Sequence, residues 1–179
     1  MADQAASNPS SKFALNLSSA GMLPRVFPQV CELLPKCDYI FGNREELRAV
    51  TQMLAKVEPK NCADTDAARA RALVGLLPTG AVVVITGGTL PTLIADREQG
   101  SWSVPVPAVP LGDVVDTNGC GDAFVGGFLG RLVSAARPDG SGGFQGPGGS
   151  TAACSVRECV EEGHRCAGLI LRRRGCSLD

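Results

Sequence analysis

Apolar residues in the first half of the chain recur at two spacings, one typical of buried strands and the other of amphipathic helices. Short apolar runs predict three strands, at residues 13–17, 38–41 and 81–86. The run at 81–86 is continuous, as expected of a central parallel strand that is covered on both faces. Apolar residues at helical spacing predict three helices, at residues 23–34, 43–57 and 65–77. Pro28 interrupts the first of these, so we expect its regular helix to begin near Pro28.

The second half of the chain predicts a hairpin and then two helices. Segments 92–95 and 102–106 flank a turn at 98–100, and the prolines that follow Val104 argue against a central position in a sheet. We therefore expect an edge hairpin. Val114 and Val115 predict a strand end that leads into a glycine-rich turn.

One of these helices follows Asp122, and the other carries a narrow apolar stripe from Val156 to Ile170. The first is expected to bury one face, formed by Phe124, Phe128, Leu132 and Ala135. Gly126 and Gly127 would each weaken an isolated helix by about 1 kcal/mol relative to alanine. Their presence predicts close approach by another backbone or by a ligand.

The order of these elements defines the expected architecture. Strands that alternate with helices predict an α/β fold, doubly wound around a mainly parallel sheet. Residues 137–151 are rich in Gly, Ser and Pro, which predicts a flexible surface insertion, and the polar residues 1–12 predict a loose tail. The core is therefore expected at 13–136 and 152–179.

Length and charge narrow the class of protein. The 179 residues are 44% hydrophobic and carry a net charge of −1, which describes a soluble globular chain with a sizeable core. Nothing in this balance predicts a nucleic acid partner, and no apolar run is long enough to span a membrane. The start of the chain lacks the apolar core of a signal peptide. We expect a cytoplasmic monomer, with the nucleus as an alternative location.

The chain has eight cysteines, and none of them form a Cys-x-x-Cys pair. In a cytosolic protein, reduced thiols used for packing are the expected state. Cys154, Cys159, His164 and Cys166 lack the spacing of a zinc site, and a helix would scatter them around its surface.

The glycine-rich turn at 116–122 carries the candidate chemistry. Gly119 and Gly121 can adopt backbone angles closed to other residues, so the amides of Gly119, Cys120 and Gly121 can converge on one point before a helix. A helix N-terminus favours an anion there, and Asp122 can accept a proton from a bound hydroxyl. This combination suits phosphoryl transfer to an alcohol. The alternative is a glycine turn that only caps a helix.

The run from Asp116 to Gly127 resembles the signature of the ribokinase-like (PfkB) carbohydrate kinases, in the variant that adenosine kinases carry. Two further stretches agree with this resemblance, one at residues 13–18 and one with matches at 158–159, 163–164, 172–173 and 175–176. The resemblance implies a ribokinase-like fold. It also implies that the chain corresponds to the carboxyl half of such a kinase, without the N-terminal part, the lid and the nucleoside-binding strands.

The resemblance implies a role for each matching residue. Asp122 is the expected base, and Gly119, Cys120 and Gly121 steady the transferring group. Asp116 supports the loop and the metal-phosphate network, and Asn118 is a substrate-binding residue that favours adenosine. Thr86 and Gly88 approach the ATP phosphates, and Asn43 and Glu46 hold Mg²⁺ through water. His164 is a candidate nucleotide contact.

Several of these residues have a structural alternative. Asn43 and Glu46 have the spacing of an N-cap with its capping-box glutamate. Thr86 to Gly88 can be a plain turn between strands, and a lone helical histidine such as His164 is usually structural. Arg172 to Arg174 could bind phosphate, but we expect a solvated charge run at a helix end.

The activity that the resemblance implies is transfer of the γ-phosphoryl group of ATP to adenosine, which yields ADP and AMP in purine salvage. Two alternatives remain, another sugar or nucleoside kinase of the same family and a non-catalytic interaction protein built on a kinase fragment. Because the nucleoside pocket is expected outside this chain, we expect little adenosine kinase activity from the chain alone.

Overall fold

The computed structural model describes residues 11–57, 64–135 and 154–174. These residues form two compact units, of which the first extends to Ser103 and the second begins at Val104. The expected tail, apart from residues 11 and 12, and the expected insertion at 137–151 lie outside the described residues. No helix in the described ranges has both the length and the apolar character to cross a membrane.

The first unit contains a five-stranded sheet and three α-helices in the order that the sequence predicts. Its elements are β1 (Ala14–Asn16), α1 (Leu23–Leu33), β2 (Tyr39–Asn43), α2 (Arg44–Val57), α3 (Asp66–Val74), β3 (Val82–Gly87), β4 (Leu90–Asp96) and β5 (Gly100–Val104). The strands lie side by side in chain order. β1 pairs with β2 and β2 with β3 in parallel, whereas β3 and β4 are antiparallel. This mixed sheet with intervening helices confirms the predicted α/β class.

The strand order determines where the helices pack. Right-handed crossovers between neighbouring parallel strands place the connecting helices on one face of the sheet. The core on that face joins Ile40, Val83 and Ile85 to apolar residues of all three helices. The alternate strand positions Phe41, Val84 and Ile94 are at most 1% exposed. Both faces of the central strands are thus buried, as the continuous apolar run predicts.

Helix α1 corrects the expectation about Pro28. The helix begins at Leu23 and continues through Pro28 to Leu33. The only intrahelical bond that a proline at this position removes is the one to the carbonyl of Pro24. Leu23 and Val30 are 1% and 6% exposed on either side of it. Burial on both sides of the proline therefore outweighs the loss of one hydrogen bond.

The predicted hairpin is confirmed as β4 and β5, with β5 at the edge of the sheet. Its turn is closed by Asp96, whose Oδ1 accepts hydrogen bonds from the amides of Glu98 and Gln99 at 2.9 and 2.6 Å. Gly100 completes the turn with a φ of +80°. Helix α3 ends at Val74, three residues before the predicted end at 77.

The second unit contains two long helices, α4 (Cys120–Ala135) and α5 (Val156–Leu171). The predicted strand end at Val114 and Val115 is wrong, because neither residue belongs to a strand. The amides of Val115 and Asp116 instead both donate to the carbonyl oxygen of Leu171, at 2.8 and 3.3 Å. The C-terminal end of α5 thus anchors the segment that enters the glycine-rich turn.

Helices α4 and α5 pack closely at two glycines. A Cβ on Gly127 would lie 2.8 Å from the carbonyl oxygen of Glu162, and one on Gly163 would lie 2.7 Å from the ring of Phe124. Close backbone approach is therefore confirmed at Gly127. At Gly126 a Cβ would meet no described atom within 4 Å, so backbone approach is not found there and approach by a ligand stays a prediction.

Candidate functional site

The turn from Asp116 to Gly119 is shaped by a side chain and by one glycine. Oδ1 of Asp116 accepts a hydrogen bond from the amide of Asn118 at 3.0 Å, which closes an Asx-turn. Gly119 has a φ of +76°, so this position favours glycine. Helix α4 begins at the next residue, Cys120. The loop is therefore set before any ligand arrives.

The amides at the start of α4 differ from the predicted set. The Cys120 amide donates to the carbonyl oxygen of Thr117 at the long distance of 3.4 Å. The amides of Gly119, Gly121 and Asp122 have no acceptor among the described residues. Gly121 is helical without a positive φ, so the expectation that both glycines use special backbone angles holds for Gly119 and is wrong for Gly121. N–H groups without a partner are normal in the first turn of a helix and favour an anion there, and convergence of these amides on a phosphate stays a prediction.

Asp122 is the third residue of α4, and its side chain is exposed. A carboxylate is favourable in the first turn of a helix. It is also open to a hydroxyl group, which a general base requires. The second unit therefore presents amide donors and an accessible carboxylate on one turn of chain.

His164 is buried rather than open to a ligand, being 8% exposed. Its ring is tilted by 48° against the ring of Phe124, with the centroids 5.5 Å apart. Burial lowers the pKa of His164 from its usual value of 6.5, and the charge of Glu161 opposes this shift. This environment agrees with the structural alternative, in which His164 supports α4 from α5.

In the first unit, Asn43 and Glu46 form the N-cap of α2. The Asn43 backbone amide donates to Oε2 of Glu46 at 2.9 Å and its side-chain Nδ2 donates to Oε1 at 2.7 Å, while the Glu46 amide donates to Oδ1 of Asn43 at 2.9 Å. Glu46 is only 5% exposed. A Cβ on Gly42 would lie 3.1 Å from Oε2, so glycine gives the carboxylate its room. The reciprocal cap expected of the structural alternative is therefore present.

The same edge of the sheet carries Thr86 and Gly88. Thr86 pairs with Asn43 in the register of β2 and β3, and its hydroxyl donates to the carbonyl oxygen of Gly42 at 3.3 Å. Gly88 follows with a φ of +65° and is exposed. Ligands of α/β sheets bind beyond the carboxyl ends of parallel strands, and these residues lie there.

Sequence reasoning missed Arg44, which holds the turn after β3. Its Nη2 donates to the carbonyl oxygen of Pro91 at 3.0 Å, and its Nη1 donates to Oδ2 of Asp66 at 2.9 Å. A Cβ on Gly87 would lie 2.8 Å from Nε of Arg44. The signal was Gly87, because only Gly88 has the positive φ that a turn requires, so the glycine beside it indicates close packing.

The carboxylate of Asp66 is surrounded by the side chains of three arginines, Arg44, Arg48 and Arg69. Burial acts to raise its pKa, but hydrogen bonds from Arg48 and Arg44, and then their charges, outweigh it and hold the pKa of Asp66 below its usual value. The guanidinium group of Arg69 lies 3.5 Å from the same carboxylate. The start of α3 is thus tied to α2 and, through Arg44, to the turn beside Gly88.

The oxygen donors of Asn43 and Glu46 have the chemistry that Mg²⁺ prefers. Both carboxylate oxygens already accept one hydrogen bond and retain a second lone pair. No cluster of three or more potential ligand side chains of His, Cys, Asp or Glu occurs in the ranges that the structure describes. The donor set of the pair thus fits Mg²⁺, and its role through metal-bound water stays a prediction.

An N-terminal helix turn with unpaired amides and a carboxylate, on a chain of this fold, is the arrangement expected of a phosphotransferase. The family model of the pfkB family of carbohydrate kinases matches residues 1–179, and the chain belongs to that family. Adenosine kinase 1 of Arabidopsis thaliana is 33% identical over 172 residues, which is 92% of this chain and 42% of the relative.

Solved structures agree with this assignment. Adenosine kinase of Anopheles gambiae, in complex with P1,P4-di(adenosine-5) tetraphosphate, superposes on this chain with a TM-score of 0.74 at 28% identity. The superposition covers 98% of this chain and 46% of the Anopheles gambiae chain. A ribokinase from Thermotoga maritima has a TM-score of 0.59 at 19% identity, which shows the fold alone. The chain thus spans less than half the length of the adenosine kinases that it matches.

Proposed function

We propose that this chain forms part of an adenosine kinase, in which the γ-phosphoryl group of ATP is transferred to the 5′-hydroxyl of adenosine to give ADP and AMP. The proposal is supported by the names of the relatives and by the residues that the chain shares with the family signature. The observation that carries it is the start of α4. There the amides of Gly119, Gly121 and Asp122 have no acceptor among the described residues, and the side chain of Asp122 is exposed.

Each residue of the turn has a part in this reaction. Asp122 accepts the proton of the attacking hydroxyl, and the amides of Gly119 and Gly121 stabilise the charge of the transferring phosphoryl group. The loss of one such donor typically raises the barrier by about 2.7–4 kcal/mol. The hydrogen bond from Asn118 to Asp116 keeps the amides in place during transfer.

The residues of the first unit serve the nucleotide. Thr86 and Gly88 approach the ATP phosphates, and the Asn43–Glu46 pair holds water on Mg²⁺. The metal ion, when bound, neutralises phosphate charge that would repel the attacking oxygen. AMP formation by this route would serve purine salvage.

The proposal is tested by calorimetric titration with MgATP and by a sensitive transfer assay with γ-³²P-labelled ATP and adenosine. We expect MgATP binding but little turnover, because the chain matches less than half of each relative. Residual labelling of AMP should fall in the Asp122→Asn variant. Absence of MgATP binding by the folded chain would contradict the proposal. Robust adenosine-dependent turnover would contradict only the expectation of low activity and would leave the proposal intact.

A further inference from the structure

Two cysteine side chains meet at the beginning of α5. Cys154 directly precedes the N-cap residue Ser155, and Cys159 lies at the fourth position of the helix. Their Sγ atoms are 3.4 Å apart, and the two residues are 7% and 0% exposed. The sequence-based expectation that a helix scatters these cysteines is wrong for this pair, because Cys154 lies outside the helix.

The capping box of α5 brings the two thiols together. The amide of Ser155 donates to Oε2 of Glu158 at 2.7 Å, and the amide of Glu158 donates to Oγ of Ser155 at 3.2 Å. This reciprocal pair fixes the angle at which the chain enters the helix. Cys154 lies just before the cap residue and Cys159 lies four positions after it, and the two side chains touch. This is the geometry of a hydrophobic staple. Here both positions of the staple are thiols.

The surroundings of the pair keep the thiols protonated. Burial raises the pKa of Cys154, against an opposing hydrogen bond with Cys159, and burial also raises the pKa of Cys159. The nearby charges are Arg131 of α4 and Glu158 of α5, which form an ion pair at 3.2 Å. Reaction at these sulfurs is therefore expected to be slow at neutral pH and faster in alkaline solution.

We propose that Cys154 and Cys159 are a redox modification site, in which the thiol staple of α5 is oxidised to a disulfide. Two thiol hydrogens and two electrons pass to one molecule of oxidised glutathione, so that one S–S bond forms in the protein and two molecules of reduced glutathione leave. A disulfide has an S–S length of about 2.04 Å, so the sulfurs need to approach by about 1.4 Å. Cys154 can make this movement without unwinding α5, because it precedes the helix.

The disulfide acts on stability and lies far from the glycine-rich turn at 116–122. It closes a ring of six residues at the N-terminal end of α5, whereas Leu171 anchors Val115 and Asp116 at the other end of the helix. A helix of 16 residues is about 24 Å long. We therefore expect oxidation to raise the melting temperature and to leave MgATP binding unchanged.

Peptide mapping identifies the bond, because Arg157 lies between the two cysteines. The chain is incubated with oxidised glutathione at pH 8.5, remaining thiols are blocked with N-ethylmaleimide, and the protein is digested with trypsin. We expect peptides 132–157 and 158–165 to be joined by a bond that dithiothreitol breaks. Alkylation of both cysteines, or joining of either one to a different cysteine, would overturn the proposal.

Variants separate the disulfide from the staple. Wild-type Tm is expected to rise by roughly 4 °C or more on oxidation. The double variant Cys154→Val/Cys159→Val keeps an apolar staple, so its Tm should match reduced wild type and should not respond to oxidation. Cys31→Ala, in α1, is the matched control and should retain the response. An oxidation response in the valine variant, or no response in wild type or Cys31→Ala, would contradict the assignment.

Discussion

At the scale of single residues, the proposed phosphate-binding turn at residues 116–122 offers backbone donors more than side chains. Gly119 supplies the positive φ, and Gly121 supplies an amide within the first helical turn. The two glycines therefore have different tolerances to substitution. A Cβ on Gly121 would meet no described atom within 4 Å, so its side-chain position is open.

Gly121→Pro removes one amide donor and leaves the helix able to form. Proline is tolerated in the first turn of a helix, and α1 already carries Pro24 at its second position. A hydrogen bond to a charged group contributes about 1.5–3 kcal/mol, so we expect roughly tenfold weaker MgATP binding or more by calorimetric titration. Gly121→Ala is the matched control, since it fills the same space and keeps the amide. Equal loss of binding in both variants would exclude the amide as the cause.

Asp122→Asn tests the proposed base separately from the phosphate site. The amide side chain keeps the shape of Asp122 but cannot accept a proton at neutral pH. General base catalysis contributes about 10²- to 10⁴-fold, so residual transfer of ³²P to adenosine should fall by that factor. MgATP affinity should stay the same or increase, because a negative charge near the phosphates is removed. Unchanged transfer would show that another group takes the proton.

At the scale of secondary structure, helix ends and helix contacts determine the candidate site. The Asn43–Glu46 cap and the close approach at Gly127 both follow from local sequence, yet each admits two interpretations. For Asn43 and Glu46 these are a cap and a water-mediated metal site. The geometry satisfies the first without removing the second, because the carboxylate oxygens keep lone pairs.

Glu46→Gln separates these two roles. Glutamine at this position keeps one oxygen for the backbone amide of Asn43, but its NH₂ group replaces the oxygen that accepts from Nδ2 of Asn43, and the charge that would favour Mg²⁺ is removed. We expect the loss of one hydrogen bond to lower the free energy of unfolding by about 1 kcal/mol and the Mg²⁺ dependence of ATP binding to weaken. Asn43→Ala is the control, because it removes the cap at a similar cost of about 1 kcal/mol in urea unfolding and keeps the Glu46 charge. If Glu46→Gln left the Mg²⁺ dependence unaltered, the pair would be a cap alone.

Two adjacent glycines in α4 provide a matched test of helix packing. A Cβ on Gly127 would lie 2.8 Å from both the carbonyl oxygen of Glu162 and Sγ of Cys166, and a backbone atom cannot move away cheaply. Gly127→Ala should therefore destabilise the protein by about 1–3 kcal/mol. Gly126→Ala has no such neighbour and should stabilise it by up to about 1 kcal/mol. Urea unfolding measures both, and the same sign for the two variants would contradict this packing.

At the scale of the whole molecule, local sequence patterns predicted the order of the helices and strands. Contacts between residues distant in the chain explain where the structure departs from that prediction. The apolar run before Thr86 predicted a central strand, which is confirmed. The strand expected at Val114 is replaced by bonds to the distant carbonyl of Leu171, and no local pattern could show that partner. Pro28 stays helical because Leu23 and Val30 are buried around it, which is again a tertiary effect.

The candidate site was predictable to a similar degree. Asp116 and Gly119 shape the turn as expected, since both effects act within a few residues. The prediction for the backbone conformation of Gly121 was wrong because α4 begins at Cys120, two residues before Asp122. Arg44 was missed because its partners, Asp66 and the Pro91 carbonyl, lie 22 and 47 residues away in the chain.

The balance of shifted pKa values predicts how the whole protein responds to acid. Burial lowers the pKa of His164 below 6.5, so the unfolded chain takes up a proton at this residue before the folded one does. Stability is therefore lost as the pH falls below about 6.5. The pKa of Asp66 is held below 3.8, so its contribution is present above that value and is lost at lower pH.

We therefore expect the free energy of unfolding, measured in urea between pH 8 and pH 3, to fall in two stages, near pH 6.5 and near pH 4. His164→Phe removes the titrating group and keeps a ring against Phe124, so it should abolish the first stage alone. Asp66→Asn should weaken the second, because the amide no longer carries the charge that Arg44 and Arg48 stabilise. A first stage that persists in His164→Phe would assign that loss of stability to a different group, and burial of His164 would then not control the acid response.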